Sequence, residues 1–282
     1  MLFPYHHKPE PIIRSRRSDP PRAFTFGVED EVDKGDRARV GATTDAINDL
    51  TDRVYCKHDS SIPDGFEIVS HPGTLAHHMY EMPWRGILAK AKKAGYTSHD
   101  AGTCGLHIHV GRDQLGATDE ERDRNIRKII VLVVRYQNEL FKYSRRRRED
   151  MGWCRFNQIP DYTHDTPITD AWAAQRIPTY QQCHDDRYVA VNVTNRGTIE
   201  FRIFRGTLIR DTLIAALQLV SNICEYAMTH TWDEIQASAW LDVCRYRNYN
   251  ENDAYLTSRR LAPACARAYN TQRQPNFDSR RQ

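Results

Sequence analysis

The sequence predicts an α+β domain in which helices pack on one face of an antiparallel sheet. Five or six short stretches alternate apolar and polar residues with the period of two that a half-buried strand requires. Stretches with helical capping signals and apolar stripes interrupt these strands. Asn195-Arg196-Gly197 has turn chemistry and joins two of the stretches as a hairpin, which favours antiparallel pairing.

Residues 1–22 are rich in proline and arginine and predict an irregular N-terminal arm. The arm either lies along the domain, binds something acidic or forms a mobile tail, and a tail is the simplest expectation. We expect a single domain over residues 23–261 and a polar C-terminal tail over residues 262–282.

The first predicted strand, residues 24–33, places apolar side chains on one face and Glu29, Glu31 and Asp33 on the other. Carboxylates two residues apart on one strand face repel each other. The face is therefore either solvated or covered by a cation, and this stretch alone leaves both readings open.

Two further strands follow at residues 54–57 and 66–71, and Glu67 projects from the second, opposite to its neighbours Phe66 and Ile68. A helix is then predicted, and both of its ends carry a signal. Thr74 can cap its first turn, and Gly95 can stop its last.

The stretch at residues 104–111 alternates aliphatic residues with His107 and His109, so both imidazoles project from one strand face. A single histidine is more often structural. Two histidines at strand spacing can also converge on one metal ion or phosphate, and the residues leave this choice open.

Thr118 and Glu121 form a capping-box sequence, which begins the longest predicted helix and carries it to Ser144. The run Arg145 to Arg148 comes next, and it favours either a stabilised helix C-terminus or an anion site for phosphates. Residues 149–186 form a long connection without a sustained period, and such a connection is usually either disordered or functional, for example a substrate loop or an acceptor-site lid. Four aromatic residues make this loop a candidate for shaping the acceptor side: Trp153, Phe156, Tyr162 and Trp172.

The predicted hairpin consists of strands over residues 188–194 and 198–204. Glu200 and Arg202 lie two residues apart in the second strand, so they share its polar face. Two more helices are predicted to begin at capping residues, Asp211 and Thr231.

The composition excludes several classes of protein. A net charge of +3 over 282 residues argues against a dedicated nucleic-acid-binding protein. The longest aliphatic run, Ile129 to Val134, is too short to span a bilayer, and the N-terminus lacks the apolar core of a signal peptide. Seven cysteines without a C-x-x-C pair favour a reducing compartment, so we expect a cytoplasmic protein.

The polar faces of the predicted strands together carry four carboxylates, two imidazoles and one arginine: Glu29, Glu31, Glu67, His107, His109, Glu200 and Arg202. Several carboxylates in one cleft repel each other and lose hydration, which destabilises the folded state unless cations are bound. A carboxylate-rich site with an occasional histidine suits Mg²⁺ or Mn²⁺ better than Zn²⁺. An arginine among metal-binding acids typically stabilises an anion such as a phosphoryl group.

Four segments resemble, in order, motifs of the putative amidoligase family: Gly27-Val28-Glu29-Asp30-Glu31, Asp59-Ser60-Ser61 to Gly65-Phe66-Glu67-Ile68-Val69-Ser70, Gly105-Leu106-His107-Ile108-His109-Val110 and Gly197-Thr198-Ile199-Glu200-Phe201-Arg202. That family is similar in its catalytic fold to glutamine synthetase and glutamate–cysteine ligase. The resemblance covers roughly residues 23–230. It implies a curved antiparallel sheet that forms a half-barrel or funnel, with helices on its outer face. ATP and the acceptor would enter this funnel from opposite ends.

The resemblance also implies roles for individual residues. Two or three Mg²⁺ or Mn²⁺ ions would be held by Glu29, Glu31, Glu67, His107 and Glu200. His109 would lie near the nucleotide phosphates, and Arg202 would bind the transferred phosphoryl group. Asp59 looks like an acidic residue that precedes the third carboxylate of glutamate–cysteine ligase, and it completes a catalytic set with Glu67, Glu200 and Arg202. One arginine of 145–148, for which we take Arg147, would contact phosphate.

The implied activity is ATP-dependent ligation of a carboxylate to an amine through an acyl phosphate, with small-molecule or peptide substrates. Two alternatives remain at this stage. The first is a phosphotransferase of the same broad fold class, as guanidino kinases are. The second is a non-catalytic module that binds nucleotide and metal. The loop at residues 149–186 has no counterpart in the resemblance, so the sequence does not identify the acceptor substrate.

Overall fold

We describe the protein from a computed structural model, and the description covers residues 1–180 and 187–263. Nearly all of the predicted C-terminal tail therefore lies outside the described residues, and so does the end of the predicted loop at residues 149–186.

Eight strands of the described residues form one open sheet: β1 (Leu2–Phe3), β2 (Thr25–Val32), β3 (Val54–Lys57), β4 (Phe66–Ser70), β5 (Gly73–Thr74), β6 (Gly105–Gly111), β7 (Val191–Asn192) and β8 (Thr198–Arg205). Their order across the sheet is β1-β3-β4-β2-β6-β8-β7, with β5 paired to β2. Neighbours are antiparallel except β1 and β3, which are parallel. The prediction of helices combined with a mostly antiparallel sheet is thus confirmed.

Helices occupy most of the remaining described chain: α1 (Val40–Asn48), α2 (Leu75–Tyr80), α3 (Trp84–Lys93), α4 (Asp119–Arg135), α5 (Gln137–Ser144), α6 (Asp170–Arg176), α7 (Arg210–Thr229), α8 (Trp232–Ala237), α9 (Trp240–Cys244) and α10 (Asn250–Ser258). Short 3₁₀ turns lie at Arg37–Arg39, Arg112–Leu115 and Arg148–Trp153.

One face of the sheet forms the core. Phe26, Val28, Ile68, Ile108 and Ile199 lie on this face at alternate strand positions and are fully buried. They pack in one apolar cluster with residues of α3, α4 and α7. Full burial of such a side chain contributes about 1.5–3 kcal/mol, so this face fixes which way each strand turns its polar residues.

Two predicted helices are each divided in two. The helix that begins at Thr74 breaks before Pro83, because proline lacks an amide hydrogen and disfavours helical geometry in the preceding residue. The longest predicted helix ends at Arg135, and Tyr136 leaves helical geometry before α5 begins. The Tyr136 hydroxyl donates to the Ser238 carbonyl at 2.7 Å, so a tertiary contact accompanies this break.

The capping predictions succeed at three helices and fail at one. The Thr74 and Thr118 side chains accept the backbone amides of the third helical residue, as predicted. Thr231 forms a complete capping box with Glu234. Asp211 is not a cap, because α7 already begins at Arg210, and the Asp211 carboxylate instead accepts from Arg210 Nη1 at 2.9 Å.

The structure also differs from the sequence predictions at three other places, and each difference has a local cause. Helix α1 was not predicted, because two of its three buried residues are the polar Thr43 and Thr44. The strand expected over residues 188–194 is reduced to β7. The expectation of an irregular arm is wrong at β1, which pairs with β3, and at Arg14, which forms a bridge to Gly73.

His78 in α2 is fully buried beneath β2. Its Nε2 atom lies 2.8 Å from the Phe26 carbonyl oxygen, and its ring stacks on Trp84 with 5.9 Å between centroids. Burial is the main cause that lowers the pKa of His78 to about 4. The neutral imidazole therefore donates its Nε2 hydrogen to Phe26.

His78 should make the fold acid-sensitive. The unfolded chain takes up this proton near pH 6.5 and the folded chain near pH 4, so stability should fall as the pH drops between these values. The loss should reach about 3 kcal/mol. Denaturant unfolding at several pH values would compare the wild type with His78→Gln, which keeps an Nε2–H donor and does not titrate. Identical pH profiles for the two proteins would contradict this assignment.

Candidate functional site

Cross-strand register brings the predicted polar residues together on the face opposite the core. Glu31 pairs with Glu67 across β2 and β4, and Glu29 pairs with His107 across β2 and β6. His109 pairs with Glu200 across β6 and β8 in the same way. Directly opposite residues of an antiparallel pair lie about 4.5–5.5 Å apart at Cβ, so these side chains form one continuous cluster.

This cluster lines a cavity of about 580 Å³. All predicted site residues except Arg147 line it: Glu29, Glu31, Asp59, Glu67, His107, His109, Glu200 and Arg202. Its other walls include Trp153 and residues of the N-terminal arm, of β3, and of the segment before, within and after β7. The volume is within the range of small-molecule sites.

Three overlapping groups of side chains could each hold a metal ion, since their ligand atoms lie within 4.8 Å of one another: Glu29, Glu67 and His107; Glu29, His109 and Glu200; Glu31, Asp59 and Glu67. Glu29 and Glu67 each belong to two groups. Asp59, which we expected in the catalytic set, falls in the third group, and His109, which we expected near phosphates, falls in the second.

Glu29 is the electrostatic centre of the site. Its carboxylate lies 3.5 Å from His109 Nε2, 3.6 Å from His107 Nδ1 and 3.9 Å from Lys57 Nζ. Burial alone would raise the pKa of Glu29, but the charge of His109 and the contacts with His107 and Lys57 outweigh it and hold this pKa well below its usual value. Glu29 is therefore ionised at neutral pH.

Glu67 and Glu31 behave in the opposite way. Burial, followed by the charge of Glu29, raises the pKa of Glu67 well above its usual value, although Lys57 Nζ lies only 2.9 Å from its carboxylate. Burial also raises the pKa of Glu31, which accepts a hydrogen bond from the Gly105 amide. Two buried acids beside a third that is already charged raise the free energy of the folded protein, and a bound cation would lower it.

Glu200 is held in place from both sides. The Asn192 side chain donates to Glu200 Oε2 at 2.8 Å, and Arg202 Nη1 donates to Glu200 Oε1. Burial opposes ionisation of Glu200, but the charges of His109, His107 and Arg202 outweigh it and lower its pKa. Arg202 Nε is buried without a hydrogen-bond partner, so this guanidinium retains a donor for an anion.

The donor set fits Mg²⁺ or Mn²⁺. Five carboxylates and three imidazoles line the cavity, and hard divalent cations prefer such oxygen-rich sites. His109 Nε2 makes no short hydrogen bond and lies 3.5 Å from the Glu29 carboxylate, so in the neutral imidazole this nitrogen could ligate a cation together with Glu29. The residues present are therefore suited to hold the ions that the sequence led us to expect.

The expectation for Arg147 is not supported by its position. Its guanidinium is exposed, donates to Asp150 at 2.9 and 3.0 Å, and does not line the cavity. Arg146 is the buried arginine of the run, and it donates to the Arg202 carbonyl at 3.2 Å. A Cβ atom on Gly105 would come within 2.7 Å of Arg146 Nη2 and 2.8 Å of His107 Nε2, so the Arg146 guanidinium lies close to the His107 ring.

Only one of the four predicted loop aromatics reaches the cavity. Trp153 lines it and makes an edge contact with Tyr188 at 5.4 Å between centroids. Phe156, Tyr162 and Trp172 instead pack against the hydrophobic core. Three of the four rings expected to shape the acceptor side therefore lie away from this cavity, where apolar burial stabilises them.

Sequence reasoning missed several residues that hold the site together. Lys57 bridges Glu29 and Glu67, but it reads as the end of a short strand in the sequence. Asn192 follows Val191 in β7 and so lies on the opposite strand face, and this alternation was the available signal for its contact with Glu200. The N-terminal arm gave no signal that three of its residues line the cavity.

No helix among the described residues is long and apolar enough to cross a membrane.

Comparison with known proteins identifies the family of the chain. No curated protein matches the sequence. The family described as "Putative amidoligase enzyme" matches residues 43–224, which is well over half of the chain. The matched segment contains Asp59, Glu67, His107, Glu200 and Arg202, and it begins after Glu29 and Glu31. The chain therefore belongs to this amidoligase family, whose description indicates a ligase-type enzyme.

Proposed function

We propose that this protein is an ATP-dependent carboxylate–amine ligase that forms an amide or peptide bond through an acyl phosphate. The observation that carries the proposal is the convergence of Glu29, Glu67, Glu200, His107 and Arg202 on one cavity. Family membership supports ligase chemistry, and the apolar core on one face of the sheet supports a relation to the glutamine synthetase fold, in which a curved sheet forms a funnel.

Metal binding is the first requirement of this chemistry. We assign Glu29, Glu31, Glu67, His107 and Glu200 as ligands of two or three Mg²⁺ or Mn²⁺ ions, with Asp59 and His109 within reach of the same sites. When bound, such ions neutralise the negative charge of the ATP phosphates and of the group in transfer.

In the first step, an oxygen of the substrate carboxylate forms a bond to the γ-phosphorus of ATP, and the bond from that phosphorus to the ADP oxygen breaks. Arg202 stabilises the negative charge on the transferred phosphoryl oxygens, because its Nε donor is unpartnered. The ion pair with Glu200 and the hydrogen bond from Asn192 to Glu200 keep Arg202 oriented.

In the second step, the amine nitrogen forms a bond to the acyl carbon, inorganic phosphate leaves, and the nitrogen loses a proton. Asp59 lines the cavity and accepts hydrogen bonds from the Ser61 amide and hydroxyl, which fix its carboxylate. We assign Asp59 as the group that takes this proton. Substrates would be small-molecule or peptide carboxylates and amines. The described cysteines are free and buried, which supports a cytoplasmic location.

The direct test is incubation with ATP, Mg²⁺ or Mn²⁺ and pools of amino acids and peptides, followed by mass spectrometry. We expect products whose mass equals carboxylate plus amine minus water, together with ADP and phosphate. Accumulation of a phosphorylated substrate without condensation would instead assign a phosphotransferase. Omission of the metal is the control, and condensation at an unchanged rate without it would contradict the mechanism.

A further inference from the structure

The N-terminal turn, residues 4–8, lies outside the matched family segment, yet it forms part of the cavity wall. β1 pairs with β3 so that Phe3 lies opposite Lys57, and the His58 amide donates to the Phe3 carbonyl at 2.9 Å. The chain then reverses, since the His7 amide donates to the Pro4 carbonyl at 2.9 Å and the His7 ring stacks on Phe3. This pairing places the turn beside the end of β3 that carries Lys57.

Side chains of this turn meet residues from the opposite edge of the sheet. The Tyr5 ring centroid lies 5.9 Å from Lys57 Nζ, and the hydroxyls of Tyr188 and then Tyr5 lie close enough to Arg187 to raise its pKa. Arg187 Nη2 also donates to the Tyr188 hydroxyl at 3.1 Å. β1 and β7 are the two ends of the sheet, so Tyr5 and Tyr188 reach Arg187 from opposite edges. We call Tyr5, Lys8, Arg187 and Tyr188 the mouth of the cavity.

The mouth and the floor of the cavity carry opposite charge. Lys8 and Arg187 are exposed, whereas Glu67 and Glu200 below them are only 2% and 4% exposed. Among the described residues, the Arg187 guanidinium donates to a phenol, the Tyr188 hydroxyl. Within residues 1–180 and 187–263, no carboxylate forms an ion pair with Lys8 or Arg187. The mouth thus presents two cations that the described chain does not neutralise.

We propose that this mouth binds a second anionic group of the carboxylate substrate, so that the protein prefers dicarboxylic over monocarboxylic substrates. The inference rests on the proposed function, which places the reacting carboxylate on the floor beside Arg202. A carboxylate approaching that floor is repelled by its acids, and cations at the entrance offset this repulsion. Arg187 offers the planar fork that binds a carboxylate through two hydrogen bonds, and Tyr5 positions that fork.

The test uses the full chain with Mg²⁺ and two probes, glutarate and valerate, which share a carbon chain and differ by a carboxylate. Calorimetry should show glutarate binding at least about tenfold more tightly than valerate, equivalent to ~1.4 kcal/mol. Arg187→Gln should abolish this preference. Tyr5→Phe, which removes only the hydroxyl, should weaken glutarate binding and leave valerate binding unchanged. Arg196→Gln, at an exposed arginine of the β7–β8 turn, is the matched control and should retain the preference.

Two results would overturn the proposal. The first is equal affinity of the wild type for both probes. The second is an Arg187→Gln protein that keeps its preference for glutarate but binds ATP with Mg²⁺ more weakly, because the mouth would then bind nucleotide phosphates. These binding measurements need no turnover. A protein that prefers glutarate but condenses no substrate would therefore contradict the proposed ligase function and leave the mouth assignment standing.

Discussion

Replacing Arg202 with alanine should reduce ATP turnover in the presence of an accepted substrate by ~10²–10³-fold, or ~3–4 kcal/mol of barrier. The guanidinium lies in the cavity beside Glu200 and has a buried donor without a partner. If that donor binds the phosphoryl group in transfer, its loss affects the transition state more than ATP binding. The fold should survive, because Arg202 points away from the apolar face formed by Phe201 and Ile203.

Single-turnover kinetics and a melting curve would separate these effects. The matched control is Arg196→Ala, which removes an exposed arginine six residues earlier and should leave turnover within a factor of about two. Arg202→Lys tests whether charge alone suffices, and we expect it to recover only part of the rate, since lysine lacks the planar fork. Near-normal turnover in folded Arg202→Ala protein would remove the basis for phosphoryl transfer at this face.

Strand alternation predicted which side chains share a face, but it could not predict which of them touch. The period of two follows from backbone geometry and is visible in any single strand, as for Glu200 and Arg202. Register depends on pairing between strands distant in sequence, and it is register that places Glu31 opposite Glu67. The composition of the acidic cluster was therefore predictable, whereas its division into three groups was not.

Some residues that stabilise the site lie outside the motifs that resemble the family, and these residues were the least predictable. Lys57 contacts Glu67 at 2.9 Å because β3 lies beside β4, and nothing in the sequence of β3 indicates that neighbour. Arg146, rather than Arg147, is buried because Arg145 adopts a left-handed conformation that ends α5 and redirects the chain. Within a run of identical residues, such a change of direction has no sequence signal.

Replacing Glu29 with glutamine should abolish most of the stabilisation that Mg²⁺ or Mn²⁺ gives to the protein. A ligand that binds only the native state stabilises it by about 2.7 kcal/mol at one hundred times its dissociation constant. Glu29 belongs to two of the three candidate groups and is ionised, so its loss weakens both sites. Without metal the variant should melt lower than the wild type, because the lowered pKa of Glu29 means that its charge stabilises the folded state, although the loss of a charge that raises the pKa of Glu67 offsets part of this effect.

The signature of this variant is thus a lost response to metal, measured relative to its own metal-free melting temperature, which distinguishes a ligand from a structural residue. Melting curves with and without each ion, at ionic strength matched with NaCl, would measure it. Asp113→Asn, at an exposed carboxylate outside the cavity, is the matched control and should keep the full response. A metal-dependent shift in Glu29→Gln equal to that of the wild type would mean that the ions bind elsewhere. The acidic face would then owe its stability to Lys57, His107 and His109 alone, and the proposed chemistry at Arg202 would lose its metal partners.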